Sequence, residues 1–395
     1  MLLITRNDQL EAFCARLKGQ DAVAVDTEFM RERTYWPKLC LVQVAGTNEA
    51  AAIDPLAEGM DIAPLSALWD APETVKVFHA GRQDLEIFYH LGGRLPAPVF
   101  DTQLAAMVCG FGDQVSYETL AAKLARARLD KGSRFTDWSL RPLSQRQIEY
   151  AIADVVHLLP VYRKLKHRLE ASGRAEWLAE EFAALTNPHI YTFDPNEAFR
   201  RLKYRGGSAR FLAVARAVAA WREREAQARD LPRAWVLRDE ALLEIAHHMP
   251  RTADDLARTR GLARKTVDSP QGAAILEAVR AALDEPEAEL PEAEVKRELP
   301  RHIGPISDLL KVLLKMKSEE AGVAQRLVAS AEDIDNLAAL GEEADVPALN
   351  GWRRLLFGAD ALRLRSGELA LAVHARKLVL VNQQTGTSNG EYQSG

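Results

Sequence analysis

Ala22-Val23-Ala24-Val25-Asp26-Thr27-Glu28 is an apolar run that ends in two acids one residue apart. A short run carrying Val23 and Val25 between polar residues reads as a buried strand. In a strand, residues i and i+2 share a face, so Asp26 and Glu28 point the same way. Two carboxylates about 4 Å apart repel by roughly 4 kcal/mol at an effective dielectric of about 20. A half-buried pair therefore needs protons, basic partners or a cation; the alternative is a solvated strand end. Which of these holds depends on whether further carboxylates follow.

The 395 residues exceed one ordinary core and predict two or three domains. An apolar fraction of 47% and a charged fraction of 27% are those of a globular chain. The opening Met1-Leu2-Leu3-Ile4-Thr5 has no basic segment before it and fits a first strand, not a signal peptide. No window approaches the roughly 18 apolar residues of a membrane span, so no membrane partner is expected. Cys14, Cys40 and Cys109 lie far apart, with neither a disulfide framework nor a zinc pattern, and a reducing cytoplasm is the expected compartment. The net charge of −5 hides a strong asymmetry. Residues 200–233 carry ten bases (Arg200, Arg201, Lys203, Arg205, Arg210, Arg216, Arg222, Arg224, Arg229 and Arg233) against Glu223, Glu225 and Asp230, a net +7, whereas residues 281–300 sum to −5.

Residues 1–190 alternate strand-like and helix-like patterns. Strands are predicted at 2–5, 22–28, 40–45, 50–53, 75–78 and around Val99, with a hairpin through Gly46-Thr47-Asn48-Glu49. Helices are predicted at 8–18, 62–69, 83–91, 116–126 and 144–169. Early hairpin pairing followed by strand–helix alternation implies an α/β fold with a mixed sheet covered by helices. Thr186-Asn187-Pro188 closes this domain. A helical domain is expected at 197–283, an acidic, proline-bearing linker at 284–303, a second helical domain at 304–381, and a flexible tail at 382–395.

Further acids do follow. Asp84, in His79-Ala80-Gly81-Arg82-Gln83-Asp84, stands where a buried strand meets a helix start, a place where acids also complement the macrodipole. Tyr150 and Asp154 lie four apart in a helical pattern, which puts phenol and carboxylate on one face. Taken together, Asp-x-Glu on a strand, Asp at a helix start and Tyr-x-x-x-Asp on a late helix resemble the DEDD exonuclease superfamily in its tyrosine-bearing branch. The flanks Arg33-Thr34-Tyr35-Trp36-Pro37 and Asp137-Trp138-Ser139-Leu140-Arg141-Pro142-Leu143 are similar to the ribonuclease D family. The resemblance spans essentially the whole first domain. Position 149, where the other branch carries histidine, is Glu149. Trp221-Arg222-Glu223 and Pro232-Arg233-Ala234-Trp235-Val236-Leu237 resemble an HRDC domain, and position implies a second HRDC-like domain after the linker.

The resemblance implies a ribonuclease-H-like catalytic domain followed by two all-α HRDC-like domains. It implies two divalent cations, Mg²⁺ or Mn²⁺, held by Asp26, Glu28, Asp84 and Asp154, with Tyr150 orienting the attacking water and a possible role as its base. The implied activity is metal-dependent 3′→5′ hydrolysis of single-stranded RNA 3′ ends, releasing nucleoside 5′-monophosphates, with tRNA precursors as substrates and no obligatory protein partner. Oxygen ligands suit these hard cations, and paired cations suit phosphodiester hydrolysis. Phe29, Met30, Tyr35, Trp36, Phe135 and Trp138 are candidates for stacking on terminal bases, with Gln83 beside them. Arg201, Lys203 and Arg205 in the basic stretch are candidates for the phosphate backbone. Two rivals stand: a 3′→5′ exodeoxyribonuclease, since the carboxylates barely depend on the 2′-hydroxyl, and a non-catalytic RNA-binding protein.

Overall fold

The Ala/Val alternation of residues 22–25 sorts one strand between two unlike faces, and the domain is layered accordingly. The computed structural model describes residues 2–129, 136–204, 206–291 and 300–383. Six strands, β1 (Leu2–Ile4), β2 (Ala22–Met30), β3 (Lys38–Ala45), β4 (Ala50–Ile53), β5 (Val75–Phe78) and β6 (Val99–Asp101), form one sheet in the order β1-β4-β3-β2-β5-β6. β3 runs antiparallel to β2 and β4, while β5 and β6 run parallel to β2. This is the expected mixed sheet, with the longest strand, β2, near its centre.

On one face Val23 and Val25 pack with the apolar stripes of α1 (Asn7–Leu17), α2 (Pro64–Trp69) and α3 (Arg82–Gly92). Each is at most 1% exposed, and burying such a side chain contributes about 1.5–3 kcal/mol. The opposite face is lined by Ala22, Ala24 and Ala45, whose small side chains admit α4 (Thr102–Val108), α5 (Tyr117–Leu120), α6 (Gln145–Val156) and α7 (Leu158–Ser172). The helix expected over 144–169 is two helices. Pro160 in the first turn of α7 lacks the N–H that would bond residue 156 and crowds that carbonyl, so the chain breaks at His157.

After α8 (Ala179–Leu185) comes a helical unit of α9 (Ala209–Ala228), α10 (Arg233–Val236), α11 (Asp239–His248), α12 (Ala253–Leu256), α13 (Arg264–Val267) and α14 (Pro270–Asp284), with its own core. The loop between β2 and β3 docks it. Asp230 accepts from the Tyr35 and Trp36 amides at 3.0 Å each, and the Tyr35 hydroxyl donates to buried Glu223 while accepting from Gln227 and Arg233 at 3.0 Å. The start of the expected linker is tied down: Glu285 bonds Arg216 at 2.5 Å, and its carbonyl accepts from Arg210 at 2.8 Å. Residues 292–299 of that linker, and the tail from 384, lie outside the described residues.

The third region corrects the all-α expectation. It opens with α15 (Gly304–Ala321) but ends in an antiparallel hairpin, β7 (Leu369–His374) with β8 (Lys377–Asn382). Strand pairing therefore takes in Asn382, the expected first residue of the tail. Nor is its core separate, since Leu310, Leu313, Leu337 and Phe357 share a cluster with Ala106, Leu158 and Leu165 of the first domain. Trp177 and Trp352 stack at 4.4 Å, and Ala324 N–H donates to the Met107 carbonyl at 2.8 Å. Buried Arg353 binds Glu180 and Glu181 across the same boundary.

Candidate active site

Asp26 and Glu28 sit at the carboxyl end of β2, opposite Gln43 and Leu41 of β3, with a bulge just after Glu28. Residues paired across a ladder share a face, so both acids lie on the side covered by α6. That helix starts where the chain can cap it: Ser144 and Gln147 form a reciprocal capping box. Ala151, Ile152 and Val155 pack down on the sheet. Tyr150 and Asp154, one turn apart, face the acids, and the Tyr150 hydroxyl bonds to the Asp154 carboxylate.

Asp84 comes from the other layer. Asp101 accepts from the Ala80 and Gly81 amides at 3.2 and 2.8 Å while capping α4 at Gln103 and Leu104. This fixes the turn into α3, and a Cβ on Gly81 would stand 2.5 Å from Phe78, so the turn has no room for a side chain. Asp84 follows in the first helical turn, buried, accepting from the Thr27 hydroxyl at 2.5 Å. Thr27 points to the face opposite its two acidic neighbours, and so links Asp84 to the strand that carries them.

The Asp137–Leu143 segment serves as a brace. Arg141 holds Asp54 through two bonds of 2.6 Å and donates to the carbonyls of Cys40 at 2.7 Å and Trp138 at 2.8 Å. The loop leading into α6 is thereby fastened to β3 and to the end of β4.

Four carboxylates converge, and their electrostatics are unfavourable. Burial foremost, then Asp84, Asp154 and Glu28, pushes Asp26 well above the usual carboxylate range. Burial, then Asp154 and Asp84, pushes Glu28 up to about 8. Burial pushes Asp84 up to about 6 against the opposing Thr27 bond. Among the described residues no lysine or arginine pairs with Asp26, Glu28 or Asp84. Among the described residues, no three His, Cys, Asp or Glu side chains are grouped so that they could hold a metal ion as they stand. Carboxylate oxygens are the donors that a hard divalent cation takes, so the chemistry of these residues fits such an ion.

Asp26, Tyr150 and Asp154 line a cavity of about 690 Å³ together with His79, Gln103, Gln114, Ser116 and Tyr117. The spacing arguments missed these wall residues. His79 lies in the quoted Asp84 motif, yet only the fold turns it toward the cavity, where Nδ1 meets the Thr102 hydroxyl at 3.0 Å. Tyr117 donates to the Ala153 carbonyl at 3.1 Å, pinning α6 beside Asp154.

The other sequence candidates scatter. Trp138 is 3% exposed and packs with Cys40, Leu143 and Ile148, so it is core and offers no ring face to a base. Tyr35 is also corrected: Arg233 covers its ring at 4.6 Å. Trp36 rests on His90 at 4.2 Å, Phe29 and Met30 are half-buried against the two cores, and Gln83 is exposed on the first turn of α3. Arg201 and Lys203 are exposed, with the Arg201 guanidinium 3.8 Å from the Phe193 ring centre. Phe135 and Arg205 lie outside the described residues. Much of the basic stretch is spent internally: Arg210, Arg216, Arg222 and Arg233 bond backbone carbonyls or acids of their own helical unit.

Residues 1–170 match the family model described as 3′-5′ exonuclease and residues 211–279 match the HRDC domain, so fold and site define a 3′→5′ exonuclease carrying a helical HRDC domain. The chain is 52% identical over 377 residues to ribonuclease D of Gluconacetobacter diazotrophicus, covering 95% of this chain and 96% of that one. It is 51% identical to ribonuclease D of Acidiphilium cryptum, covering 96% and 97%. The crystal structure of Escherichia coli RNase D, an exoribonuclease involved in structured RNA processing, superposes with a TM-score of 0.78 at 33% identity, covering 93% of this chain and 98% of that one. The chain belongs to the ribonuclease D family, and it is a 3′→5′ exoribonuclease with a ribonuclease-H-like catalytic domain.

Proposed function

We propose that Asp26, Glu28, Asp84 and Asp154 hold two divalent cations, Mg²⁺ or Mn²⁺, and that this site trims single-stranded RNA 3′ ends, tRNA precursors among them, to nucleoside 5′-monophosphates. The observation that carries the reading is the mutual repulsion of Asp26 with Asp84, Asp154 and Glu28 beside a cavity that Asp26, Tyr150 and Asp154 line. When bound, the cations neutralise these carboxylates and supply positive charge to the phosphate and to the attacking and departing oxygens. Asp26, central to the mutual repulsion of the acids, is the residue best placed to be shared between two ions. Tyr150 orients the attacking water. Burial, then Asp154, Glu28 and Asp26, pushes its phenol above its ordinary value, which favours a protonated donor over a base. The same reading assigns Arg201, Lys203 and Arg205 to the RNA backbone, and Gln83, Trp36, Phe29, Met30 and Phe135 to the terminal nucleotides. The proposed division is catalytic domain 1–190, HRDC domain 197–283, linker 284–303 and a C-terminal region from 304 that packs on the catalytic core and ends in the β7–β8 hairpin.

The test is product analysis with 5′-labelled single-stranded RNA and matched DNA in Mg²⁺, Mn²⁺ or EDTA, with Asp26→Asn beside the wild type. The expected result is a metal-dependent ladder shortening from the RNA 3′ end, with 5′-monophosphate products. The variant should lose activity by about 10²–10³-fold, as expected when charge stabilisation in the transition state is removed. Cleavage undiminished by EDTA would overturn the metal assignment.

A further inference from the structure

β3 is apolar from Leu39 to Ala45 except at one position, Gln43. Its side chain is fully buried, and neither Nε2 nor Oε1 has a hydrogen-bond partner. Buried amides are almost always bonded, and any leucine or valine would suit this sheet position better. The orphaned amide therefore needs an explanation.

Its place supplies one. Gln43 is paired with Asp26 on one side of β3 and with Ala52 of β4 on the other. Directly opposed residues share a face, with Cβ atoms about 4.5–5.5 Å apart, a gap that a glutamine spans easily. Ala52 leaves room beside it, and α6 seals the site from above through Ala151 and Ile152, which pack with Leu41 and Ala52. Gln43 thus shares a sheet face with Asp26 and is absent from the cavity lining. It offers a neutral N–H donor from the neighbouring strand to an ionised, ion-holding Asp26.

We propose that Gln43 is a positioning residue for Asp26: Nε2–H donates to the ionised carboxylate and fixes the orientation in which Asp26 binds its cations. The inference rests on the metal-centred reading above. Ligating carboxylates are commonly held by such outer partners, and losing one costs about 10–100-fold in ion affinity.

Gln43→Met keeps length and volume while removing the amide, and Gln43→Asn keeps an amide too short to reach. The full chain would be titrated with Mn²⁺ and Mg²⁺ by calorimetry, and its melting temperature measured in EDTA. For Gln43→Met the expected result is a melting temperature in EDTA that is unchanged or higher, because an unbonded amide has been removed. Mn²⁺ affinity should fall about 10–100-fold, and Gln43→Asn should show the same loss of affinity. A lowered melting temperature of Gln43→Met in EDTA overturns the proposal, because the amide then supports the metal-free fold. Unchanged Mn²⁺ affinity in Gln43→Met overturns it equally, while leaving the metal assignment standing. A wild type that binds neither ion brings down both.

Discussion

Glu28 and Asp84 are raised to about 8 and about 6, against ordinary values of roughly 4.3 and 3.9. In the metal-free folded chain these groups keep protons that the unfolded chain has already released. The stability they confer is therefore full below about pH 4 and is lost as pH climbs through about 6 to 8, because stability falls wherever the native state binds more protons. Metal-free melting temperature is thus expected to decline from about pH 5 to about pH 8 on account of these acids, and saturating Mg²⁺ to remove most of that decline. Thermal scans in EDTA and in Mg²⁺ across this range check it, and parallel curves would contradict it. The same cluster makes Asp26→Asn at least as stable as the wild type in EDTA, since a neutral amide stands where burial and three neighbouring acids oppose ionisation of the carboxyl.

At the scale of elements, the site depends on how α6 is seated. Ser144 caps it, Tyr117 pins it at Ala153, and Arg141 fastens the loop before it to Asp54, which is 3% exposed. Breaking a buried bidentate pair leaves an uncompensated charge and costs about 3–5 kcal/mol. Arg141→Ala should therefore lower the first unfolding transition in urea by this order and reduce turnover, although Arg141 itself is absent from the cavity lining. If circular dichroism and activity were both unchanged, the brace would be irrelevant to α6. The motif around Asp137 has a structural meaning here: its tryptophan is core and its arginine is a clamp.

At the scale of the whole molecule, the loop that leaves the carboxylate strand is also the dock for the HRDC unit. Tyr35 carries much of that contact, with Glu223, Gln227 and Arg233 all meeting its hydroxyl. Tyr35→Phe leaves the internal Arg233–Glu223 pair intact and removes the bridging hydroxyl. A hydrogen bond to a charged group contributes about 1.5–3 kcal/mol, so the undocked fraction should rise about tenfold or more. Limited proteolysis around residues 203–208 is expected to quicken correspondingly, with hydrolysis of a dinucleotide changed less than hydrolysis of a long RNA. An unchanged digestion rate would mean that the Asp230 contacts alone hold the dock. No helix of the described residues is long and apolar enough to cross a membrane.

The local alternation of Ala and Val, the i, i+2 acids and the i, i+4 Tyr150–Asp154 pair were legible in the chain itself, because side-chain direction in strands and helices repeats over a few residues. The hairpin, the mixed sheet and α9 followed from the same short-range periods. Tertiary structure alone decided what depends on partners distant in sequence. Asp84 reaches the other acids from the opposite layer by way of Thr27, and strand register puts Gln43 beside Asp26. The arginines of the basic stretch turn inward to carbonyls and acids up to 75 residues away, so their summed charge overstates the face left for RNA. Residues 304–365 merge with the catalytic core, and 369–382 pair as a hairpin, because burying apolar surface rewards whichever neighbour the folded chain brings near. Sequence spacing named the chemistry; register and packing selected its surroundings.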